Sequence, residues 1–189
     1  MKIKIGVMGS AGGEISKEAL AKAYLLGRAI AEKDCVLVTG GCPGLPFAAT
    51  KGAKDEGGFT IGISPGIDLR EHVELYKSPT EYLDILIFTG SGLMGREVIG
   101  VRSCDIIIIV GGRSGTLGEF CIAYDEGKPI GVLKGTGGVT PRLPDIVEAI
   151  KKDTGSEIVY DDDPYRLLER ILEVYEKVRN NPRRYDASG

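Results

Sequence analysis

The stretch Asp105-Ile-Ile-Ile-Ile-Val-Gly-Gly-Arg-Ser-Gly-Thr-Leu-Gly-Glu119 decides the fold. Its segment Ile106–Val110 is β-branched and apolar without interruption, which is typical of a central strand buried on both faces of a parallel sheet. A glycine-rich turn at residues 111–116 follows at once, and residues 117–124 are predicted to form a helix. The order is therefore strand, glycine-rich turn, helix.

This turn has the composition of an anion-binding site. Glycine lets the backbone approach a ligand closely, and the free N–H groups at the start of a helix favour phosphate. Ser114 and Thr116 add hydroxyl donors, and Glu119 is predicted one helical turn inside, at the lip of a ligand pocket. The alternative is a tight turn with a helix cap and no ligand. Two further glycine-rich turns in the chain favour the ligand.

The composition is that of an ordinary globular domain. The 189 residues are 42% hydrophobic and 27% charged, which suits one domain with a substantial core. The formal net charge of −3 points to neither nucleic acid nor an anionic membrane as a partner. No apolar run reaches the roughly 18 residues of a membrane-spanning helix. The chain enters its first strand at once and its four cysteines form no CxxC pair, so we expect a cytoplasmic protein with reduced thiols and no signal peptide.

Predicted strands and helices alternate along the chain. Strands are predicted at residues 3–8, 36–38, 59–64, 84–89, 106–110 and 130–133, with a short edge strand at 157–160. Helices are predicted after a cap at Ser16, at residues 45–56, 93–103, 117–124 and 144–152, and from Pro164 onward. This alternation indicates an α/β protein with a Rossmann-like, doubly wound parallel sheet that binds ligands at the carboxyl ends of its strands. We expect a single domain over residues 1–180 and a flexible polar tail at 181–189.

Several common nucleotide and metal sites are disfavoured. The sequence has no GxxxxGK[ST] motif, and its first glycine-rich turn, residues 9–13, is not GxGxxG. The second strand ends in Thr39-Gly40-Gly41, without an acidic residue to hold a ribose hydroxyl. With one histidine and no clustered ligands, neither a metal nor a cofactor is expected.

Two other polar features receive predicted roles. The acidic run Asp161, Asp162 and Asp163 precedes the last helix and is interpreted as a solvated cap. His72 lies in the irregular stretch 65–83, which as a loop could cover a ligand.

Arg96 and Glu119 are the candidate charged residues of the site. Arg96 lies near the start of a helix that follows a strand, where its guanidinium could grip a phosphate or a carboxylate. The alternative is a surface ion pair with Glu97 or another neighbour. Glu119 could serve as a base, an acid or a stabiliser of a cationic transition state, or it could simply be a carboxylate in the first turn of a helix.

The sequence resembles the lonely-guy family of Rossmann-like proteins, most of all the branch that includes molybdenum-cofactor carrier proteins. The family motif Pro-Gly-Gly-x-Gly-Thr-x-x-Glu corresponds to Gly111-Gly112-Arg113-Ser114-Gly115-Thr116-Leu117-Gly118-Glu119. The family's Met-His-x-Arg-Lys element resembles Met94-Gly95-Arg96-Glu97 when one residue is skipped, and Arg96 and Glu119 keep the family spacing. The second-strand turn resembles Gly40-Gly41-Cys42-Pro43-Gly44-Leu45, and Gly9-Ser10 matches the family's first turn.

The resemblance implies a phosphoribohydrolase that cuts nucleoside 5′-monophosphates into base and ribose 5-phosphate. Arg96 and Glu119 would then be the catalytic pair, since a carboxylate can stabilise the cationic sugar formed during N-glycoside cleavage. The implied phosphate- and ligand-binding residues are Gly9, Ser10, Gly40, Gly41, Gly44, Met94, Gly112, Arg113, Ser114, Gly115 and Thr116.

The sequence departs from the family pattern at four places. Gly111 replaces the motif proline, Arg113 replaces a glycine, Glu97 replaces a lysine, and the histidine of Met-His is missing. These departures favour the alternative implied by the carrier branch, which is a protein that binds a phosphorylated pterin and releases it unchanged. A nucleotide sensor is a third alternative. The family also dimerises, and apolar residues in the helices at 93–101 and 117–124 lead us to expect a homodimer or larger homo-oligomer.

Overall fold

A computed structural model describes residues 1–180 of the protein. Within them lie seven strands: β1 (Lys4–Gly9), β2 (Val36–Thr39), β3 (Phe59–Ser64), β4 (Ile85–Phe88), β5 (Ile106–Val110), β6 (Ile130–Leu133) and β7 (Ile158–Asp161). The α-helices in the same range are α1 (Lys17–Glu32), α2 (Leu45–Asp55), α3 (Gly92–Arg102), α4 (Ser114–Asp125), α5 (Leu143–Ile150) and α6 (Pro164–Arg179). A π-helical turn, Glu71–Leu75, and a 3-10 turn, Thr140–Arg142, complete the regular structure.

The seven strands form one all-parallel sheet in the order β4-β3-β2-β1-β5-β6-β7. Strands β1 to β4 step toward one edge, and β5 to β7 step toward the other. The direction therefore reverses between β1 and β5, and the carboxyl ends of these two strands form the crevice where such folds bind ligands. The predicted Rossmann-like, doubly wound sheet in a single α/β domain is confirmed, including β7 as an edge strand.

Strand β5 is apolar at every position because it is buried on both faces of the sheet. Its residues Ile106, Ile108 and Val110 belong to the core that contains α1, α2 and α6. Ile107 and Ile109 belong to the opposite core, with α3, α4 and α5. Alternate side chains of a strand point to opposite faces, so an unbroken apolar run supplies both cores at once.

Two helix boundaries differ from the prediction by more than one residue. Helix α4 begins at Ser114, three residues before the predicted start, because the Leu117 N–H donates to the Arg113 carbonyl at 2.9 Å and closes the first turn there. The hydroxyl residues of the glycine-rich turn thus belong to the helix. Helix α5 ends at Ile150, because Lys151 takes a left-handed conformation with φ +50°.

The prediction of a solvated acidic cap is wrong for Asp161. This residue is the last of β7, its side chain is buried, and it pairs with Arg166 at 2.6 Å and Arg170 at 2.8 Å. Hydrogen bonds from Arg166 lead the causes that hold the pKa of Asp161 well below its usual range. Asp163 is the actual cap, and its side chain accepts from the Arg166 N–H at 2.8 Å.

Three further predictions concern the C-terminal tail, membrane-spanning helices and the cysteines. The expected tail at 181–189 lies outside the described residues. None of the helices between residues 1 and 180 has the length and apolar character needed to cross a bilayer. All four cysteines are free, with Cys35 and Cys104 buried.

Candidate functional site

The candidate site lies where the carboxyl ends of β1, β2 and β5 meet, and its first feature is a contact between two glycine-rich turns. The Gly112 N–H donates to Ser10 Oγ at 2.6 Å, which joins the turn after β5 to the turn after β1. The neighbouring Gly111 N–H donates to Thr136 Oγ1 at 2.8 Å. Both backbone donors are therefore engaged within the chain. The backbone N–H groups that can bind an anion are therefore those at the start of α4.

The start of α4 has unpaired donors because of its geometry. Gly112 has φ +100°, and a side chain there would overlap Thr116, so only glycine fits. Arg113 makes no capping hydrogen bond with its side chain. The first intrahelical bond of this turn comes from Leu117, so the N–H groups of Ser114, Gly115 and Thr116 precede the hydrogen-bonded ladder. These three groups and the helix dipole form an anion-attracting end.

Arg96 and Glu119 face each other inside the protein. Arg96 Nη1 lies 3.5 Å from Glu119 Oε1, and the two side chains are only 12% and 6% exposed. The guanidinium packs directly on Gly40, where a Cβ would overlap it. Among the described residues, Arg96 Nε is buried without a hydrogen-bond partner. Glu119 therefore lies inside the site. The sequence analysis predicted it at the lip of the pocket.

Glu97 is a third charged residue of the site, and sequence reasoning missed this role. It is buried, and its carboxylate lies against the first turns of α4. A Cβ at Gly115 would lie 2.8 Å from Glu97 Oε1, and one at Gly118 would lie 3.0 Å from Oε2. The two glycines of α4 therefore make room for this carboxylate. Its position beside Arg96 in the sequence was the only available signal, and the surface ion pair considered above does not form.

Burial raises the pKa of both carboxyl groups. For Glu119 it raises the pKa to about 7, Arg96 opposes the rise, and Glu97 adds to it. Burial likewise raises the pKa of Glu97, again opposed by Arg96. Two buried carboxyl groups thus share one guanidinium, which makes the charge of Glu119 sensitive to pH near neutrality.

The space enclosed by these charged groups is small. Their cavity measures about 70 Å³ and is bordered by Gly9, Gly40, Cys42, Thr116 and the three charged side chains. Sites for drug-sized ligands typically measure about 300–1,000 Å³. A whole nucleotide or pterin therefore does not fit inside this cavity. Burial also raises the pKa of the Cys42 thiol to about 11.

The other predicted site residues are only partly brought together. Gly41 and Gly44 have positive φ angles of +60° and +77° and shape the turn between β2 and α2. Arg113 is exposed, with Nη2 about 3.9 Å from a Cβ built on Gly12, so it lies beside the turn after β1. Met94 is 76% exposed in the first turn of α3 and does not border the small cavity.

The sequence analysis considers His72 as part of a loop that covers a ligand, but His72 lies in the π-helical turn. It is fully buried in the π-helical turn, with Nε2 3.0 Å from the Pro79 carbonyl and Nδ1 2.9 Å from Ser64 Oγ. A carbonyl only accepts hydrogen bonds, so Nε2 carries a proton and donates to Pro79. Its ring also lies against Gly41. His72 therefore packs against the second glycine-rich turn.

Comparison with known proteins places the chain among relatives of the same fold. The model of the SLOG cluster4 family matches residues 2–168. A protein of Archaeoglobus fulgidus described as uncharacterized is 41% identical over 132 residues, which cover 70% of this chain and 80% of that protein. The resemblance inferred from the sequence motifs is thereby confirmed.

Two solved structures extend the similarity over almost the full length. The molybdenum cofactor binding protein of Rippkaea orientalis is 31% identical, with a TM-score of 0.76 over 92% of this chain and 98% of its own. The molybdenum cofactor carrier protein of Chlamydomonas reinhardtii is 30% identical, with a TM-score of 0.73 over 95% and 100% of the two chains.

Proposed function

The chain belongs to the SLOG cluster4 family, and on this premise we propose that it binds a phosphorylated pterin at the carboxyl edge of its sheet and releases it unchanged. The observation that carries the proposal is the full-length similarity to two molybdenum cofactor binding and carrier proteins.

The phosphate belongs at the start of α4 in this proposal. The N–H groups of Ser114, Gly115 and Thr116 form one side of the site, and the exposed Arg113 guanidinium is adjacent. Arginine pairs with phosphate through two parallel hydrogen bonds, so the residue that departs from the family motif adds an anion-binding group. Two buried carboxyl groups, Glu97 and Glu119, lie deeper and disfavour phosphate there.

The proposal is tested by titrating the purified protein with 6-hydroxymethylpterin monophosphate and with unphosphorylated 6-hydroxymethylpterin, followed by the intrinsic fluorescence of the pterin. We expect saturable binding of the phosphorylated compound, much weaker binding of the other, and recovery of unchanged ligand by mass spectrometry. The absence of saturable binding, or chemical conversion of the ligand, would contradict carriage.

Substitution of Thr116 by valine should weaken the binding of inorganic phosphate by about 1–2 kcal/mol, the scale of one hydrogen bond to a charged group. Valine keeps the shape of the buried side chain that packs under Gly112 and removes only the hydroxyl. Titration calorimetry measures the effect, and Thr80→Val in the segment between the π-helical turn and β4 is the matched control. Equal phosphate affinity in wild type and Thr116→Val would remove the threonine from the site.

A second candidate function is hydrolysis of nucleoside 5′-monophosphates to a base and ribose 5-phosphate. The buried Arg96–Glu119 pair favours it specifically. A carboxylic acid with a pKa near 7 suits proton donation to a departing base, and its ionised form suits stabilisation of a cationic sugar.

This second candidate is decided by incubating the protein with a panel of nucleoside 5′-monophosphates, including AMP and N6-substituted forms, and assaying ribose 5-phosphate. Hydrolysis that disappears in Glu119→Gln would establish the enzyme. Intact nucleotides throughout the panel would exclude it, and release that persists in the variant would mean that Glu119 is not the catalytic group.

We also propose that the protein forms a homo-oligomer. The surface proposed for this contact differs in part from the one predicted from the sequence. The apolar residues of α4, such as Phe120 and Tyr124, are buried within the chain itself. Exposed apolar residues near this region lie instead at the start of α3, at Leu93 and Met94, and on edge strand β4. Multi-angle light scattering at micromolar concentration should show a dimer or larger species in wild type and a monomer in Met94→Glu. Leu20→Glu on α1 is the control, and a wild-type monomer would refute the proposal.

A further inference from the structure

A second cavity opens at the carboxyl ends of β6 and β7, apart from the charged site. It measures about 560 Å³, which lies within the size range of small-molecule sites. Its lining is largely apolar and includes Pro144 and Tyr160, and its charged lining residues are Glu14 and Lys134. It lies on the carboxyl side of the sheet, as the β1–β5 crevice does, but nearer the edge formed by β7.

One wall of this cavity is a preformed loop, residues 134–140. Its first residue donates to the Asp161 carbonyl at 2.7 Å and accepts from Lys22 Nζ at 3.2 Å. Thr136 Oγ1 donates to the Leu133 carbonyl at 2.6 Å, and Thr140 Oγ1 donates to the Gly137 carbonyl at 2.6 Å. These contacts hold the loop at both ends, so the cavity exists before any ligand arrives and a ligand has little ordering cost to overcome.

The same loop is bonded directly to the glycine-rich turn after β5. Thr136 Oγ1 accepts from the Gly111 N–H, and the Val139 N–H donates to the Gly112 carbonyl at 3.0 Å. The cavity wall and the turn that leads into α4 therefore form one hydrogen-bonded unit. The loop is thus the element through which the cavity is connected to the turn before α4.

Resting on the proposed function, we infer that this cavity holds the pterin ring of the ligand while its phosphate occupies the start of α4. The charged cavity beside Arg96, at about 70 Å³, is too small for the ring. Proline and tyrosine side chains give flat apolar surfaces suited to a planar heterocycle. The ring edge of a pterin carries two adjacent N–H donors and a carbonyl acceptor. A carboxylate such as Glu14 matches the donors, and an ammonium such as Lys134 matches the acceptor.

The test uses substitutions that fill the cavity from its rim. Glu14 is exposed, so Glu14→Trp places an indole over the cavity without removing a core side chain. Pro144→Trp fills it from the start of α5, and Glu173→Trp on the outer surface of α6 is the matched control. The probes are 6-hydroxymethylpterin monophosphate and inorganic phosphate. Circular dichroism shows whether each variant is folded. If Glu14→Trp does not fold, Pro144→Trp tests the inference.

We expect either blocking variant to weaken binding of the pterin monophosphate about tenfold or more while leaving phosphate affinity within about twofold. Thr116→Val should weaken both probes, because it affects the phosphate end. Full pterin affinity in both blocking variants would overturn the inference and leave the proposed function intact. Absence of pterin binding in wild type would overturn both, and equal losses for the two probes would show that the cavity is not a separate ring site.

Discussion

Replacement of Arg96 by alanine is expected to destabilise the protein by about 3–5 kcal/mol at about pH 8, since removing one member of a buried ion pair leaves a buried charge without compensation. Arg96 Nη1 lies 3.5 Å from Glu119 Oε1, and both side chains are almost inaccessible to water. Glu97, also buried, would lose the same neighbouring cation. Urea unfolding followed by circular dichroism measures the loss.

Arg102→Ala is the matched control, because it removes an arginine from the same helix. Arg102 pairs with Glu126 but its side chain is 68% exposed, so we expect a loss below about 1 kcal/mol. The loss in Arg96→Ala should also shrink toward about pH 5, where buried carboxyl groups without a cation take up protons. Equal losses in the two variants would show that the carboxylates regain solvent easily when Arg96 is removed.

Substitution of Glu119 by glutamine is expected to remove much of the pH dependence of folding stability between pH 4.5 and about 7. The pKa of Glu119 in the folded state, about 7, exceeds its ordinary value of 4.5, so the folded protein holds this proton more tightly than the unfolded chain. Its stabilising contribution is therefore fully present below pH 4.5 and is lost as the pH rises through about 7. Relative to Glu119→Gln, wild type should lose about 2–3 kcal/mol over this interval.

Chemical denaturation of both proteins across this pH interval tests the prediction. A residual slope in Glu119→Gln is expected from Glu97, whose pKa is also raised by burial, and Glu97→Gln identifies that part. Glu173→Gln, at an exposed position on α6, should follow the wild-type curve. If the curves of wild type and Glu119→Gln run parallel, Glu119 titrates in the folded protein as it does in the unfolded chain.

The sequence by itself determined the fold and the placement of the glycine-rich turns in it. The unbroken apolar run at Ile106–Val110 predicts a strand buried on both faces, and the structure confirms its exact bounds, as it does for Phe59–Ser64 and Ile130–Leu133. The glycine-rich turns after β1, β2 and β5 were assigned correctly to the carboxyl ends of parallel strands. These features are local, because apolar periodicity and the backbone freedom of glycine act over a few residues.

Only the tertiary structure decided how the site residues are used. Ser10 and Gly112 are 102 positions apart, and their hydrogen bond exists because β1 and β5 are neighbours in the sheet. Glu97 was considered only as a partner of Arg96 in an alternative surface ion pair, yet the docking of α3 on the glycine face of α4 buries it. The burial of a charge depends on what packs over it, and a sequence window around the residue does not contain that information. For the same reason, only the packed chain revealed the cavity at the ends of β6 and β7.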